Sequence, residues 1–289
     1  MFAPSLVRFV LVVGCSSLFA IESSAPALAQ EPAPSEPSTK ESRPARSPAK
    51  RTRKRPIDDG PKIYMGRQIA DVMSHLGAEW LVRDTREQEE QPDRMLDGLK
   101  IQPGQTVADV GAGVGYTSVK MSKRVGPKGT VYATDVQPEM LRMLARNAKT
   151  MNITNIKPIL CTPTDPKLPE GKVDLILMVD VYHECSDPEA TLAGLRKALA
   201  PGGRLVLVEF RAEDPEVPIK PEHKMSVAQA RKELEANGFR FKESLEFLPW
   251  QHIIIFEVAG ATKPADAATP SKPAEEAKAE EPRSKTVID

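Results

Sequence analysis

The sequence predicts a doubly wound α/β domain over residues 61–260, with a seven-stranded, mostly parallel sheet that ends in an antiparallel hairpin. Three observations point there. Strand-like and helix-like segments alternate five times, which calls for parallel strands joined by crossover helices on both faces. A glycine-rich turn, Gly111-Ala112-Gly113-Val114-Gly115, stands between the first strand pattern and the first crossover helix, the place where such folds meet a nucleotide. The last two strand patterns are joined only by Leu248-Pro249-Trp250-Gln251, too short for a crossover, so they must pair antiparallel.

In chain order, apolar spacing predicts two amphipathic helices ahead of the sheet, over residues 65–76 and 86–99, the second rich in Arg and Glu. A strand over 106–110 enters the glycine turn, and 116–125 continues as helix. A strand over 130–134, a helix opened by Pro138 and a strand over 156–160 follow. The most apolar strand is 173–179. Asp187 and Pro188 supply the cap and first residue of the next helix, which Pro201-Gly202-Gly203 ends before a strand over 204–210. Ser226 caps a helix that stops at Asn237-Gly238, and strands over 239–247 and 252–258 complete the domain.

The ends of the 289-residue chain have a different composition. Residues 1–29 read as a secretory signal: Arg8, an apolar stretch over 9–20, and Ala27-Leu28-Ala29 as a small-x-small cleavage site before Gln30. A competing reading makes Val12-Val13-Gly14-Cys15 a lipoprotein signal with Cys15 lipidated. The stretch is shorter than the roughly 20 residues of a spanning helix. Residues 30–60 are a Pro-rich and basic linker, whose Lys50, Arg51, Arg53, Lys54 and Arg55 suit a solvated spacer or a weak contact with an anionic surface. Residues 261–289 read as a disordered Ala/Pro/Lys/Glu tail. Net charge is zero, so no specific nucleic-acid partner is expected. After cleavage only Cys161 and Cys185 remain, which excludes a disulfide framework. These features place the protein in the periplasm or cell envelope.

The glycine turn is accompanied by two acids, Asp109 before it and Asp135 at the end of the next strand. Asp135 lies about 20 residues past the last glycine, where doubly wound folds put a carboxylate that accepts ribose hydroxyls. That fits adenosine, whichever cofactor carries it. A nicotinamide dinucleotide wants Gly-x-Gly-x-x-Gly, and the third glycine would fall on Tyr116. A methyl donor without phosphates makes no such demand. The spacing favours it, with a nicotinamide-dependent oxidoreductase and a non-catalytic adenosine-ligand module as the rival readings.

These segments carry a resemblance. The stretches 109–115, Thr134-Asp135, 175–184 and Pro201-Gly202-Gly203-Arg204-Leu205 resemble successive motifs of class I S-adenosylmethionine-dependent methyltransferases. More narrowly, Tyr64-Met65-Gly66-Arg67, Trp80-Leu81, Asp180-Val181-Tyr182-His183-Glu184, His223-Lys224-Met225 and Leu248-Pro249-Trp250-Gln251-His252 resemble a group of bacterial methyltransferase-domain proteins, many with export signals. The resemblance implies a Rossmann-like fold with S-adenosyl-L-methionine as cofactor. It implies that Gly111, Gly113 and Gly115 contact the methionine part, Asp135 the ribose, and Asp165 the adenine amino group. Asp109 and Asp180 complete the expected cofactor-binding set.

A sulfonium methyl is already activated, so the enzyme has mainly to align a nucleophile and exclude water, and few catalytic residues are needed. His183 follows the fourth strand at the carboxyl edge, where open α/β sheets bind ligands. It is the candidate general base, or else a hydrogen-bonded pocket wall. His183, Glu184, Glu209, His223 and His252 are capable metal ligands, but their separations match no compact signature, and no metal is expected. Trp80, Tyr64 and Trp250 are candidates for a substrate pocket or for core packing, His75 for a structural role, and Glu87, Glu89 and Glu90 for a solvated helix face. The acceptor is expected to be a small molecule or an envelope component.

Overall fold

A computed structural model of the protein describes residues 62–260. The signal segment with Cys15, the basic linker and the carboxy-terminal tail lie outside the described residues.

The amino-terminal segment departs from the expected pair of helices. Instead of a helix over 65–76, strands β1 (Ile63–Tyr64) and β2 (Arg67–Gln68) form a small hairpin. Met65 and Gly66 both have positive φ, 48° and 95°, a turn conformation that no helix contains. Extended chain follows, then a 3₁₀ turn over His75–Val82 whose cap, Ser74, accepts from the Leu76 N–H. The expected helix over 86–99 breaks into α1 (Arg86–Glu90) and α2 (Pro92–Gly98). Pro92 explains the break. It lacks an N–H and forces its predecessor out of the helical region, and Gln91 takes a left-handed φ of 49°.

From residue 106 onward the predicted elements are found. The strands are β3 (Thr106–Val110), β4 (Thr130–Asp135), β5 (Ile156–Leu160), β6 (Val173–Val179), β7 (Leu199–Arg211), the short β8 (Lys224–Met225), β9 (Phe239–Leu245) and β10 (Gln251–Val258). The crossover helices are α3 (Tyr116–Val125), α4 (Pro138–Thr150), α5 (Pro188–Ala198) and α6 (Val227–Ala236). Capping matches the sequence: Asp187 accepts from the Ala190 N–H at 3.1 Å and Ser226 from the Gln229 N–H at 3.1 Å. Strand β7 begins earlier than expected. Residues 200–203 form a bulge between the pairs Val173↔Leu199 and Leu175↔Arg204.

The sheet order is β5-β4-β3-β6-β7-β10-β9, with β8 pairing beside the end of β7. All pairs are parallel except those of β10, which lies antiparallel between β7 and β9. Strand alternation divides the core into two faces. Leu175, Leu177, Val206 and Val208 pack under Met95, Leu96 and Met121 of α2 and α3. Ile176, Met178, Leu205 and Leu207 pack under Leu192, Leu195, Ala230 and Leu234 of α5 and α6. Each such buried side chain contributes about 1.5–3 kcal/mol. The chain runs outward from β3 through β4 to β5, then returns to β6 on the other side of β3. The carboxyl ends of β3 and β6 therefore flank a switch point, where doubly wound sheets bind ligands. Among the described residues, no helix is long and apolar enough to cross a membrane.

Candidate active site

A cavity of about 650 Å³ opens at that switch point. Gly111 and Gly113 line it. A Cβ at Gly111 would stand 2.5 Å from Val181 Cγ2, and one at Gly113 2.7 Å from Leu81 Cδ1, so the cavity wall closes on both positions and neither has room for a side chain. Gly115 serves packing instead: a Cβ there would meet Leu144 of α4 at 2.7 Å.

The acids divide their work. Asp135 lines the cavity and also ties down the turn, accepting from the Gly113 N–H at 2.9 Å and the Gln137 N–H at 2.8 Å. Each of its oxygens keeps a lone pair for a further donor. Burial pushes its carboxyl above the usual range, against the pull of those two N–H groups. Asp109 is buried behind the turn and accepts from Ser118 Oγ at 2.6 Å, which pins α3 to β3. Burial pushes it up to about 6. Asp165 is exposed and its carboxylate accepts from the Lys167 N–H at 2.8 Å, closing its own turn. From that loop the cavity is lined by Thr162, Pro163 and Pro166.

Asp180 ends β6 with a left-handed φ of 54°, which aims the following residues back over the cavity. Its Oδ2 accepts from Gln251 Nε2 at 2.8 Å, while Oδ1 is buried without a partner. Burial, then the neighbouring Glu90 and Glu209, push it well above the usual carboxylate range. Replacing Asp135 by Ala is expected to weaken S-adenosylhomocysteine binding by about 1–3 kcal/mol without unfolding the domain, the scale for hydrogen bonds to a charged acceptor. Calorimetric titration checks this, and an unchanged affinity would remove Asp135 from ligand binding.

The polar end of the cavity is a network that sequence spacing did not reveal. His183, on a 3₁₀ turn over Tyr182–Glu184, directs Nδ1 to Glu209 Oε2 at 2.6 Å and Nε2 to His223 Nδ1 at 3.0 Å. Glu209 in β7 is fully buried and also accepts from the Tyr182 N–H at 2.9 Å. Burial works against the His183 imidazolium, but the Glu209 charge outweighs it and holds its pKa above the ordinary value. The same burial, with His183 beside it, lowers that of His223. Glu184 lines the cavity and accepts from the Met73 N–H at 3.3 Å, and burial raises it to about 7.

One clue to this network lay in the sequence. Glu209 interrupts the apolar run Leu205-Val206-Leu207-Val208, and a carboxylate inside a central strand needs a partner. Behind it, the fully buried Glu233 accepts from Arg67 Nε at 2.7 Å, Arg67 Nη2 at 2.9 Å and Tyr182 Oη at 2.9 Å. Arg67 Nη1 and the Ala70 N–H both donate to the His183 carbonyl at 3.0 Å, so the amino-terminal hairpin and the chain after it anchor the turn that carries His183.

Other expectations are revised. Glu90 does not belong to a solvated face: it is buried and bonded to Arg83 and Arg86 at 2.6 and 2.7 Å. Of the three candidate pocket aromatics, Trp80 lines the cavity, half-exposed beneath the Arg83 guanidinium. Tyr64 Oη accepts from Asn237, away from the cavity.

Comparison with known proteins agrees with this geometry. A family model described as a methyltransferase domain matches residues 107–203. The ubiquinone/menaquinone biosynthesis C-methyltransferase UbiE of Cupriavidus metallidurans is 30% identical over 111 residues, 38% of this chain and 45% of that protein. The UbiE of Psychromonas ingrahamii is 30% identical over 116 residues, 40% of this chain and 46% of that protein. The chain thus spans less than half the length of these curated relatives. Among solved structures, a SAM dependent methyltransferase from Aquifex aeolicus is 26% identical with a TM-score of 0.62, covering 65% of this chain and 100% of its own. The [4+2]-cyclase SpnF shares the fold with a TM-score of 0.50 at 14% identity, covering 58% of this chain and 81% of its own. Residues 107–203 thus match a methyltransferase domain, and the glycine turn, strand-end acids and inserted last strand give the chain the fold of the class I S-adenosylmethionine-dependent methyltransferases.

Proposed function

We propose that the protein transfers a methyl group from S-adenosylmethionine to a small-molecule or envelope-associated acceptor with an apolar body and a polar reacting atom. The observation that carries this is a single cavity with a cofactor cradle at one end and the His183–His223 pair at the other. The cradle fits the cofactor. Gly111 and Gly113 line the cavity with no side chain of their own, Asp135 has lone pairs for ribose hydroxyls, and the unpartnered Asp180 Oδ1 suits an ammonium donor. When bound, S-adenosylmethionine supplies a methyl group activated by its sulfonium.

The chain's own residues do the rest. Val72, Trp80 and Val136 are exposed at the cavity and suit an acceptor with an aromatic or aliphatic body. The UbiE relatives, by name, methylate in quinone synthesis, which is in keeping with such an acceptor. His183 does not act alone, because Glu209 and His223 occupy both ring nitrogens; the proposed catalytic unit is the pair. Fold alone does not require methyl transfer, as the cyclase likeness illustrates. The deciding experiment incubates the protein with methyl-tritiated S-adenosylmethionine and fractionated envelope lipids and small molecules. Label transferred to one fraction supports the reading; tight S-adenosylhomocysteine binding without transfer to any fraction would favour a binding module.

The reading includes export, which rests on residues 1–29. Terminal sequencing of the protein from an envelope fraction is expected to start at Gln30. A lipid-modified Cys15 would replace that site, and an intact Met1 would count against export.

A further inference from the structure

We propose that His183 Nε2, His223 Nδ1 and a Glu184 carboxylate oxygen form a divalent transition-metal site, with zinc as the best-suited ion, at the acceptor end of the cavity. These three atoms lie within 4.8 Å of one another, although the residues come from two separate turns of the chain. The nitrogens are 3.0 Å apart. Two nitrogens on a tetrahedral zinc, each about 2.0–2.1 Å from it, stand about 3.3 Å apart. An adjustment of a few tenths of an ångström, on the side of the half-buried His223, admits the ion.

Three further features separate this cluster from a chance meeting of polar groups. Glu209 holds His183 Nδ1 at 2.6 Å, which puts the ring proton on Nδ1 and leaves the Nε2 lone pair for a ligand, the carboxylate–histidine arrangement behind most metal-bound imidazoles. The turn carrying His183 is fixed in advance, its carbonyl bonded to Arg67 Nη1 and the Ala70 N–H, so the site does not need ordering when the ion arrives. The surrounding charge also leans negative. Glu184 lines the cavity and the buried Glu209 stands behind His183, whereas the nearby Arg67 is committed to Glu233 and Lys220 is the lining cation beside His223. A divalent cation offsets that excess. Two imidazoles and one carboxylate leave a coordination position open, and all three ligands line the cavity, so an acceptor oxygen can complete the set.

The assignment does not rest on methyl transfer. In it, the two imidazoles act on the acceptor through a bound cation and not as a free base. The test uses the full chain, stripped with chelator and titrated separately with Zn²⁺ and Co²⁺. The expected result is one equivalent of metal, visible Co²⁺ absorption bands of a nitrogen–oxygen site, and displacement of Co²⁺ by Zn²⁺. His223→Ala is expected to weaken Co²⁺ binding at least about 30-fold, Glu184→Gln at least 10-fold, and Glu209→Gln about 10- to 100-fold through its hold on His183. His75→Ala, far from the cluster in sequence and on a separate turn, should leave it unchanged. S-adenosylhomocysteine affinity, measured on each variant, certifies the fold independently of metal. Failure of the wild-type protein to bind stoichiometric metal, or metal binding untouched by His223→Ala in a variant that still binds S-adenosylhomocysteine, would overturn the proposal and leave a hydrogen-bonded histidine relay.

Discussion

Gly111→Ala is expected to cost at least 100-fold in S-adenosylhomocysteine affinity, about 2.7 kcal/mol. The added Cβ would lie 2.5 Å from Val181 Cγ2 and 2.6 Å from Cγ1, closer than such atoms approach. Val181 is branched at Cβ and stands in the turn that carries Asp180 and His183, so both of its methyl groups meet the new Cβ and its side-chain rotation is restricted. The residue's φ of 73° adds strain that glycine alone avoids. One methyl group therefore pushes the glycine turn and the turn that carries His183 apart. Gly104→Ala is the control: it carries a similar positive φ of 86° with nothing within 4 Å of the new Cβ. It should lose stability but keep its affinity. Calorimetric titration of both variants decides, and a Gly111→Ala affinity within tenfold of wild type would contradict the close approach.

Glu233→Ala is expected to destabilise the domain by about 3–5 kcal/mol, measured by urea unfolding, because it leaves a desolvated guanidinium and a buried phenol without their acceptor. Glu233 is fully buried and receives Arg67, Tyr182 and Gln229 at once. A loss of that size is a large part of the stability of an ordinary domain. Replacing both charges, Arg67→Met with Glu233→Leu, should recover the part that comes from the unpaired guanidinium, since two apolar groups need no partner, while the Tyr182 hydroxyl stays without its acceptor. A loss below 1 kcal/mol for Glu233→Ala would mean that water reaches the pair. The double variant should still bind the cofactor less well than wild type, because Arg67 also holds the His183 carbonyl.

Local chemistry made much of the fold readable. Asp187, Ser226 and Pro138 begin the helices that their side chains favour, and the five residues between β9 and β10 are too few for a crossover and force the final hairpin. The glycine turn and Asp135 were readable for the same reason, since a bare backbone and a strand-end acid are requirements of short sequence range. Residues 65–76 were misread because Met65, Ile69, Val72, Met73 and Leu76 have helical spacing, whereas two positive φ values at Met65 and Gly66 turn the chain. The apolar side chains there serve the cavity: Val72 and Met73 line it. Spacing reports that a residue meets an apolar surface, not which one.

By itself the sequence determined the order of the main strands and helices from residue 106 onward, the antiparallel end of the sheet, and the glycine turn that lines the cavity, because each follows from backbone preferences and neighbours a few residues apart. Tertiary structure alone decided the acceptor end. His183, Glu209 and His223 are separated by 26 and 40 residues from one contact to the next, and they meet only because β6 and β7 pair in parallel and β8 returns beside β7. Tertiary structure likewise decided that Asp109 and Gly115 pack while Asp135 and Gly111 line the cavity. Alternation along a strand tells two faces apart, but which face meets the cavity depends on the elements that close over it.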